Sequence, residues 1–453
     1  MQNEKELAAK YRKMTETPVE KLIMQLAVPS IISMLVSALY NMADTFFIGK
    51  INTQATGAAG IVFSYMALTQ ALGFFLGQGS GNFVSRAMGA KDNERAEIMT
   101  STGFFTGLFM AVCIVLPCWF MMDSVLDFFG ATPTILVEAK RYFSYILLAT
   151  PFMVTSFILN NLLRFQGNSL KGMIGITTGA VMNVVLDPIL MFVFHMGVSG
   201  ASLATAFSQT VSAFILIYMS QKYNPVKIHI SKLRPSLRVY REIVAGGLPS
   251  FARQGLASVA TICLNRAARP YGDSAIAAFS VVSRSYMICI SALLGFGQGF
   301  QPVCGFNYGA KLYDRVKKAF VFCVKVGTTV MTLIGITAFV LAPDIVAAFR
   351  ADDPELIEIG ARALRNEACA FPFMGFTIIS NMYLQNTRRT VFATITAVAR
   401  QGLIFVPLLF ILRAAFGLGG VEKAQAISDF LTFCLALPLT IYAFKTQEIA
   451  NKM

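Results

Sequence analysis

Twelve apolar runs, each long enough to cross a bilayer, dominate this chain. They lie at about 22–48, 55–81, 100–121, 136–159, 173–194 and 199–219. A second set follows at 243–264, 275–300, 319–341, 360–384, 391–412 and 424–444. A helix needs about 20 mostly apolar residues to span the hydrocarbon core. A β-barrel strand needs about 10 alternating ones, and these runs are apolar on every side. Composition agrees: 55% of the 453 residues are hydrophobic and 14% are charged, against about a quarter charged in a soluble domain. The expectation is an all-α integral membrane protein with twelve transmembrane helices.

The two sets of six are copies. Pro29-Ser30 returns as Pro249-Ser250, Gly77-Gln78-Gly79 as Gly297-Gln298-Gly299, and Gly89-Ala90-Lys91 as Gly309-Ala310-Lys311. Gly197 and Gly200 return as Gly417 and Gly420. All share one offset, that from Pro29 to Pro249, and Pro188 returns as Pro407, a single position out of register. Collinear matches over this length mark an internal repeat. Six spans is an even number, so both halves enter the membrane in the same direction. Such parallel repeats form two bundles that meet at a central cleft and rock against each other. The expected domains are a six-helix lobe at 1–220 holding the cation-coupling site, a basic linker at 221–242, and a second six-helix lobe at 243–453.

Basic residues orient the spans. One side collects Lys5, Lys10, Arg12, Lys13 and Lys21, the basic linker, and the short connections holding Arg86, Lys91, Arg95, Arg164, Lys171, Lys311, Arg315, Arg388 and Arg389. The opposite loops hold only Lys50, Arg266, Arg269, Arg350, Arg413 and Lys423. Both termini are therefore expected in the cytoplasm, with the chain multi-pass in the cytoplasmic membrane. The net charge of +14 is this topological signal plus affinity for anionic headgroups. The bases are scattered over short segments, so no nucleic-acid partner is expected. The polar first 21 residues do not read as a cleavable signal.

Eight cysteines lie in or beside apolar spans, without a C-x-x-C, and there are two histidines. Zinc, haem and disulfide readings are weak, and no resident cofactor is expected. No phosphate-binding G-x-x-x-x-G-K-[ST] occurs, so uphill work has to draw on an ion gradient or on a partner. No enzymatic activity is expected, and a monomer is the default.

Within the fifth run, "AVMNVVLDPILMFVF" (180–194) carries two polar side chains, Asn183 and Asp187. Their spacing of four places them on one helix face. Pro188 has no N–H, so the carbonyl of Val184 loses its helical partner. A carboxylate, an amide oxygen and a freed carbonyl together suit a hard cation. Asp44, in "LYNMADTFFIG", and Thr205 fall at the same depth in the first and sixth runs. A charge inside a span costs at least about 2.5–3.5 kcal/mol, which makes two unpaired carboxylates a functional signal. Apposed acids also carry protons.

The chain resembles the multidrug and toxic compound extrusion (MATE) family, and within it the MepA-like branch. The resemblance rests on "YNMADTFFIGK", "GQGSGNFVSRAMGAKD" and "NVVLDPIL", with the six-plus-six repeat, and covers nearly the whole chain. It implies a MATE-like fold and antiport, with Na⁺ or H⁺ entering as a drug leaves. It also implies that Asp44, Asn183, Asp187 and Thr205 form the cation-coupling site, with Na⁺ as a possible metal ion there. In the related NorM branch the acids lie in the second half. Here the seventh run has Arg253 and no acid, leaving Glu367 in the tenth as the one candidate counterpart.

For substrate, the expected partners are lipophilic organic cations and membrane lipid. Asp187, Tyr40, Gln78, Phe152, Met153, Asn160, Gln298 and Gln301 are the candidate contacts, since aromatics attract cations and Met-rich surfaces adapt. Pro29, Pro188, Pro249 and Pro407 are the candidate hinges. Arg253, Arg284, Lys325 and Arg400 make the second half basic, with Glu367 and Asp429 able to neutralise two of them. Arg284 is expected in a polar bundle interior. That asymmetry supports an alternative, a flippase for a lipid-linked or anionic envelope precursor.

Overall fold

The computed structural model describes residues 2–349 and 353–452. Arg350, one of the opposite-loop bases, lies outside the described residues. A polar helix, α1 (Gln2–Glu16), comes first. The first half then runs through α2 (Val19–Gly49), α3 (Thr53–Gly89), α4 (Asn93–Phe120), the short α5 (Met122–Phe128) and α6 (Pro133–Phe165). It ends with α7 (Ser169–Pro188), a π-helical turn at Ile189–Val193, and α8 (Val198–Tyr223). The second half holds α9 (Leu237–Ala268), α10 (Asp273–Gly309), α11 (Tyr313–Val340), α12 (Ala342–Ala347), α13 (Pro354–Ala368) and α14 (Phe371–Asn386). It closes with α15 (Thr390–Val398), a π-helical turn at Ala399–Leu403, α16 (Phe405–Phe416) and α17 (Leu418–Lys452). The connection expected at 221–242 is confined to 224–236, because α8 and α9 each continue beyond their apolar run.

Among the described residues, ten helical segments are long and apolar enough to cross a membrane. The other two sequence spans are present as helix but differ in kind. α9 is diluted by Arg238, Arg241, Glu242, Arg253 and Arg266. The tenth span is split into α13 and α14 at Cys369–Ala370. Pro372 lies in the first turn of α14, where its missing N–H costs no helical bond, whereas inside a continuous helix it would leave a carbonyl of the preceding turn unpaired.

The repeat is visible in the backbone. α10 starts and ends at the repeat equivalents of the ends of α3, and α11 at those of α4. Left-handed residues recur in step: Lys91 (φ 60°) with Lys311 (φ 59°), and Gly197 (φ 55°) with Gly417 (φ 59°). The halves meet where α2 and α3 pack on α9 and α10, and the repeated glycines explain how. A Cβ on Gly89 would sit 2.0 Å from the Phe306 carbonyl oxygen, and one on Gly309 would sit 2.0 Å from the Arg86 carbonyl oxygen. Replacing each residue by its repeat equivalent turns one contact into the other, as a two-fold axis requires. Gly79 likewise abuts Ile243 and Gly247 of α9, while Gly299 abuts Ala27 of α2. These contacts gather at the end that carries the termini, the basic end. Toward the opposite end, a Cβ on Gly60 of α3 or Gly255 of α9 would meet nothing within 4 Å among the described residues.

Helix α1 straddles this closed end. Lys10 Nζ donates to the Gly167 carbonyl (3.0 Å) and to Asn168 Oδ1 (2.7 Å) of the first half. Asn307 Nδ2 donates to the Met14 carbonyl (3.1 Å), and Arg315 to the Thr17 carbonyl (2.6 Å), from the second. The polar N-terminal segment is thus a strap joining both halves.

Candidate functional site

Helix α7 carries Asn183 and Asp187 on its buried face, as the i, i+4 spacing requires. Asn183 Nδ2 donates to Asp187 Oδ1 (3.2 Å) and to Thr205 Oγ1 of α8 (3.1 Å). Helix α2 brings Asp44 to the same place, where its carboxyl and that of Asp187 lie within hydrogen-bonding reach. The Tyr142 hydroxyl of α6 donates to Asp44 Oδ2 at 3.5 Å. Tyr40, one turn before Asp44, faces both acids. The four polar residues that the resemblance singles out are therefore one cluster, each at most 3% exposed.

Three oxygens of this cluster lack a hydrogen-bond partner among the described residues: Asp44 Oδ1, Asn183 Oδ1 and Asp187 Oδ2. Each unsatisfied buried polar atom costs about 1–3 kcal/mol. All three are acceptors, which a proton, a hard cation or a donating water can satisfy. Among the described residues no group of three or more His, Cys, Asp and Glu converges, so a metal ion here would complete its shell from Asn183 and Thr205. Pro188 closes α7, and the chain passes through the π turn and left-handed His195 (φ 52°) into α8. Turns of this type inside helices recur at functional sites. The second half also has a π turn, but at Ala399–Leu403 it falls earlier than the repeat equivalent of the first, and Pro407 stands at the repeat position of Asp187.

Other candidate residues are scattered. Gln78 and Gln301 are sealed in the closed interface, where Gln301 Nε2 donates to Gln78 Oε1 (3.0 Å) and Gln385 Oε1 (3.3 Å). Gln385 in turn donates to the Gly246 carbonyl at 2.6 Å, and Gln298 is buried on the same helix as Gln301. Met153 is packed in the first-half core with Tyr142 and Ile146. Phe152 stacks obliquely on Phe214, with ring centroids 6.0 Å apart. Half-buried Asn160 lies against Gly172 of α7. Pro29 and Pro249 lie inside α2 and α9, Pro188 ends α7, and Pro407 follows the second π turn at the start of α16. Asp44, Tyr40, Asn183, Asp187 and Thr205 come together; the amides and hinges do not join them.

The bases of the second half behave differently from one another. Arg400 Nε donates to Asp429 Oδ1 at 2.8 Å, and its Nη2 bonds the Tyr286 hydroxyl. Glu367 is buried nearby. Arg253 reaches Asn381 Oδ1 at 3.5 Å. Arg284, expected in a polar interior, is exposed together with Ser280 and Met287 on one face of α10, while Phe279 and Val282 are buried. Sequence reasoning missed Tyr142 and the interfacial role of Arg164. Tyr142 comes from another helix and looks like any aromatic in an apolar run. Arg164 reads as one of the orienting bases of a short connection, yet it is 2% exposed and bonds Asn161 and Gln301.

A duplicated six-helix bundle with a buried oxygen cluster is the architecture of a membrane transporter. A family model, MatE, matches twice, over residues 29–189 and 249–411, so the two matches start at the equivalent prolines Pro29 and Pro249. The chain belongs to the MATE family. Among curated proteins it is 27% identical over 442 residues to the multidrug export protein MepA of Staphylococcus haemolyticus, covering 96% of each chain. It is 28% identical over 434 residues to the MepA of Staphylococcus aureus, covering 95% of each. Among solved structures, a MATE protein in complex with MaL6 superposes with a TM-score of 0.91 at 23% identity, over 97% of this chain and 99% of that one. The outward-facing conformation of a multidrug resistance MATE transporter superposes with a TM-score of 0.90 at 23% identity, over 96% and 98%. These two structures share the fold.

Proposed function

We propose that this chain is a multidrug efflux antiporter of the cytoplasmic membrane, exporting lipophilic organic cations in exchange for Na⁺ or H⁺. The observation that carries this reading is the set of partnerless oxygens on Asp44, Asn183 and Asp187 inside an apolar bundle. The export activity named for the MepA relatives supports the drug side of the exchange. In the proposed cycle both termini are cytoplasmic, so the clamped basic end faces inward and the cluster is reached from outside. The entering ion neutralises Asp44 and Asp187, which weakens the hold on a cationic drug near Asp187 and Tyr40. The six-helix lobes then rock about the α2, α3, α9 and α10 contact, with Pro29 and Pro249 bending. A single copy of the chain holds every residue the cycle uses, so a monomer suffices.

A second reading has one observation in its favour. Arg164 is buried with Nε and Nη1 unpartnered, and no carboxylate pairs with it or with Arg253 among the described residues. Such guanidinium groups would suit an anionic, lipid-linked substrate. Ethidium release from proteoliposomes under an imposed Na⁺ or pH gradient separates the two. Release driven by one gradient supports antiport and names the ion. No release under either gradient, from folded protein that moves a fluorescent lipid-pyrophosphate, would replace antiport with the flippase reading.

A further inference from the structure

A cavity of about 540 Å³ opens at the basic end, away from the oxygen cluster. Its wall is divided between the two halves. Phe83 of α3 and Arg95, Ile98 and Met99 of α4 come from the first half. Glu242 and Val239 of α9 and Arg388, just beyond α14, come from the second, and Arg234, Ser236 and Arg238 come from the connection and the start of α9. Four arginines thus face one carboxylate. Glu242 is already committed to Arg388 (3.2 Å) and to Arg86 (3.7 Å), and Arg95 pairs with Asp92 at 3.3 Å. Arg234 and Arg238 have no carboxylate partner among the described residues. Arg388 is held in the left-handed region at φ 63°, a conformation that costs a non-glycine residue free energy. At the matching bend of the first half the residue is Gly167 (φ 74°).

The floor is apolar, through Phe83, Ile98, Met99 and Val239. The connection that supplies Arg234 also exposes Ile230 (76%), and α9 opens on exposed Leu237 (86%). Exposed aliphatic side chains interleaved with arginines describe a segment lying in the headgroup layer of a bilayer. Basic pockets at this level between helices bind anionic lipid headgroups.

We propose that this cavity is a binding site for the phosphate headgroup of an anionic phospholipid, with Arg234, Arg238 and Arg388 on the phosphate and the apolar floor under the first carbons of the lipid. Because its wall comes from both halves, the site is complete only while the basic end is closed, and an occupying lipid favours that state.

The test is native mass spectrometry of the purified protein titrated with phosphatidylglycerol, phosphatidylcholine or pyrophosphate. Wild type should retain phosphatidylglycerol and not phosphatidylcholine. Arg234→Gln/Arg238→Gln should weaken retention on the order of 30-fold, from about 1 kcal/mol per base near the surface. A control with the same charge loss on the same face, Lys318→Gln/Lys445→Gln, should match wild type. Equal weakening in both variants, or equal retention of phosphatidylcholine, would overturn the site. Pyrophosphate binding as tight as the lipid would overturn the lipid assignment in favour of a soluble phosphate ester.

Discussion

The reciprocal glycines at the basic end set how tightly the lobes close, and enlarging them has a calculable consequence. A Cβ on Gly89 or Gly309 would stand 2.0 Å from a backbone carbonyl oxygen of the other half. A relaxed C···O contact is about 3.3 Å or more, so each alanine forces the lobes apart there by about 1.3 Å. The obstructing atom is backbone, so no side chain can turn away. Overpacking of this kind costs about 1–3 kcal/mol per site. The two sites share one interface and will not add fully, so Gly89→Ala/Gly309→Ala should cost the closed state about 2–4 kcal/mol. That amount lowers the closed-to-open ratio on the order of 30- to 1,000-fold. Spin labels at Glu94 and Asp314, exposed positions related by the repeat, report on it by double electron–electron resonance. Wild type should show one short distance at this end, and the double variant a longer and broader population. An unchanged distribution in well-folded double variant would refute the two-fold glycine clamp.

Other outcomes follow from the same contacts. Asn183→Ala removes both bonds that position Asp187 and Thr205, so gradient-driven efflux should fall at least tenfold, from about 1.4 kcal/mol of lost positioning. Thr205→Ser keeps the hydroxyl and should stay near wild type in the same assay. Arg400→Met leaves Asp429 buried without its partner and should destabilise by about 3–5 kcal/mol in thermal unfolding; Arg400→Met/Asp429→Leu should recover most of that loss. Burial and the neighbouring Lys13 press the Lys10 ammonium down to about 7 in the docked strap. Freed α1 binds the proton up to about pH 10.4, so docking is opposed below pH 7 and strengthens as pH rises from there. A spin label at exposed Ala9 should become more immobilised between pH 6.5 and 9, and Lys10→Met should abolish that dependence.

Much of this architecture was legible as pattern. Hydropathy marked twelve segments because lipid demands long apolar runs, and the pairing of Asn183 with Asp187 followed from helical spacing. The repeat was legible too, but not what it was for: nothing in Gly89-Ala90-Lys91 says that Gly89 touches the carbonyl of Phe306. Tertiary partners of that kind arise only when helices distant in sequence meet. Tyr142 is the same case within the site, supplied by α6 to an acid on α2. The break before α14 had a local signal in Pro372, masked by the continuous apolar run around it. The π turns had half a signal: Pro188 announced a disturbance, not its form. Gln78 and Gln301 looked like substrate contacts because polar groups on spans invite that reading. In the structure Gln301 donates to Gln78 across the interface, a pairing that polarity alone does not distinguish from binding.

The central claim is that Asp187 couples the ion to the drug. Ethidium efflux should be measured in proteoliposomes holding equal amounts of wild type and Asp187→Asn, under each imposed gradient. The account predicts that the variant, fixed in the neutral state, binds ethidium more weakly and that neither a Na⁺ nor a pH gradient accelerates its release. Efflux by Asp187→Asn with the gradient dependence of wild type would contradict it.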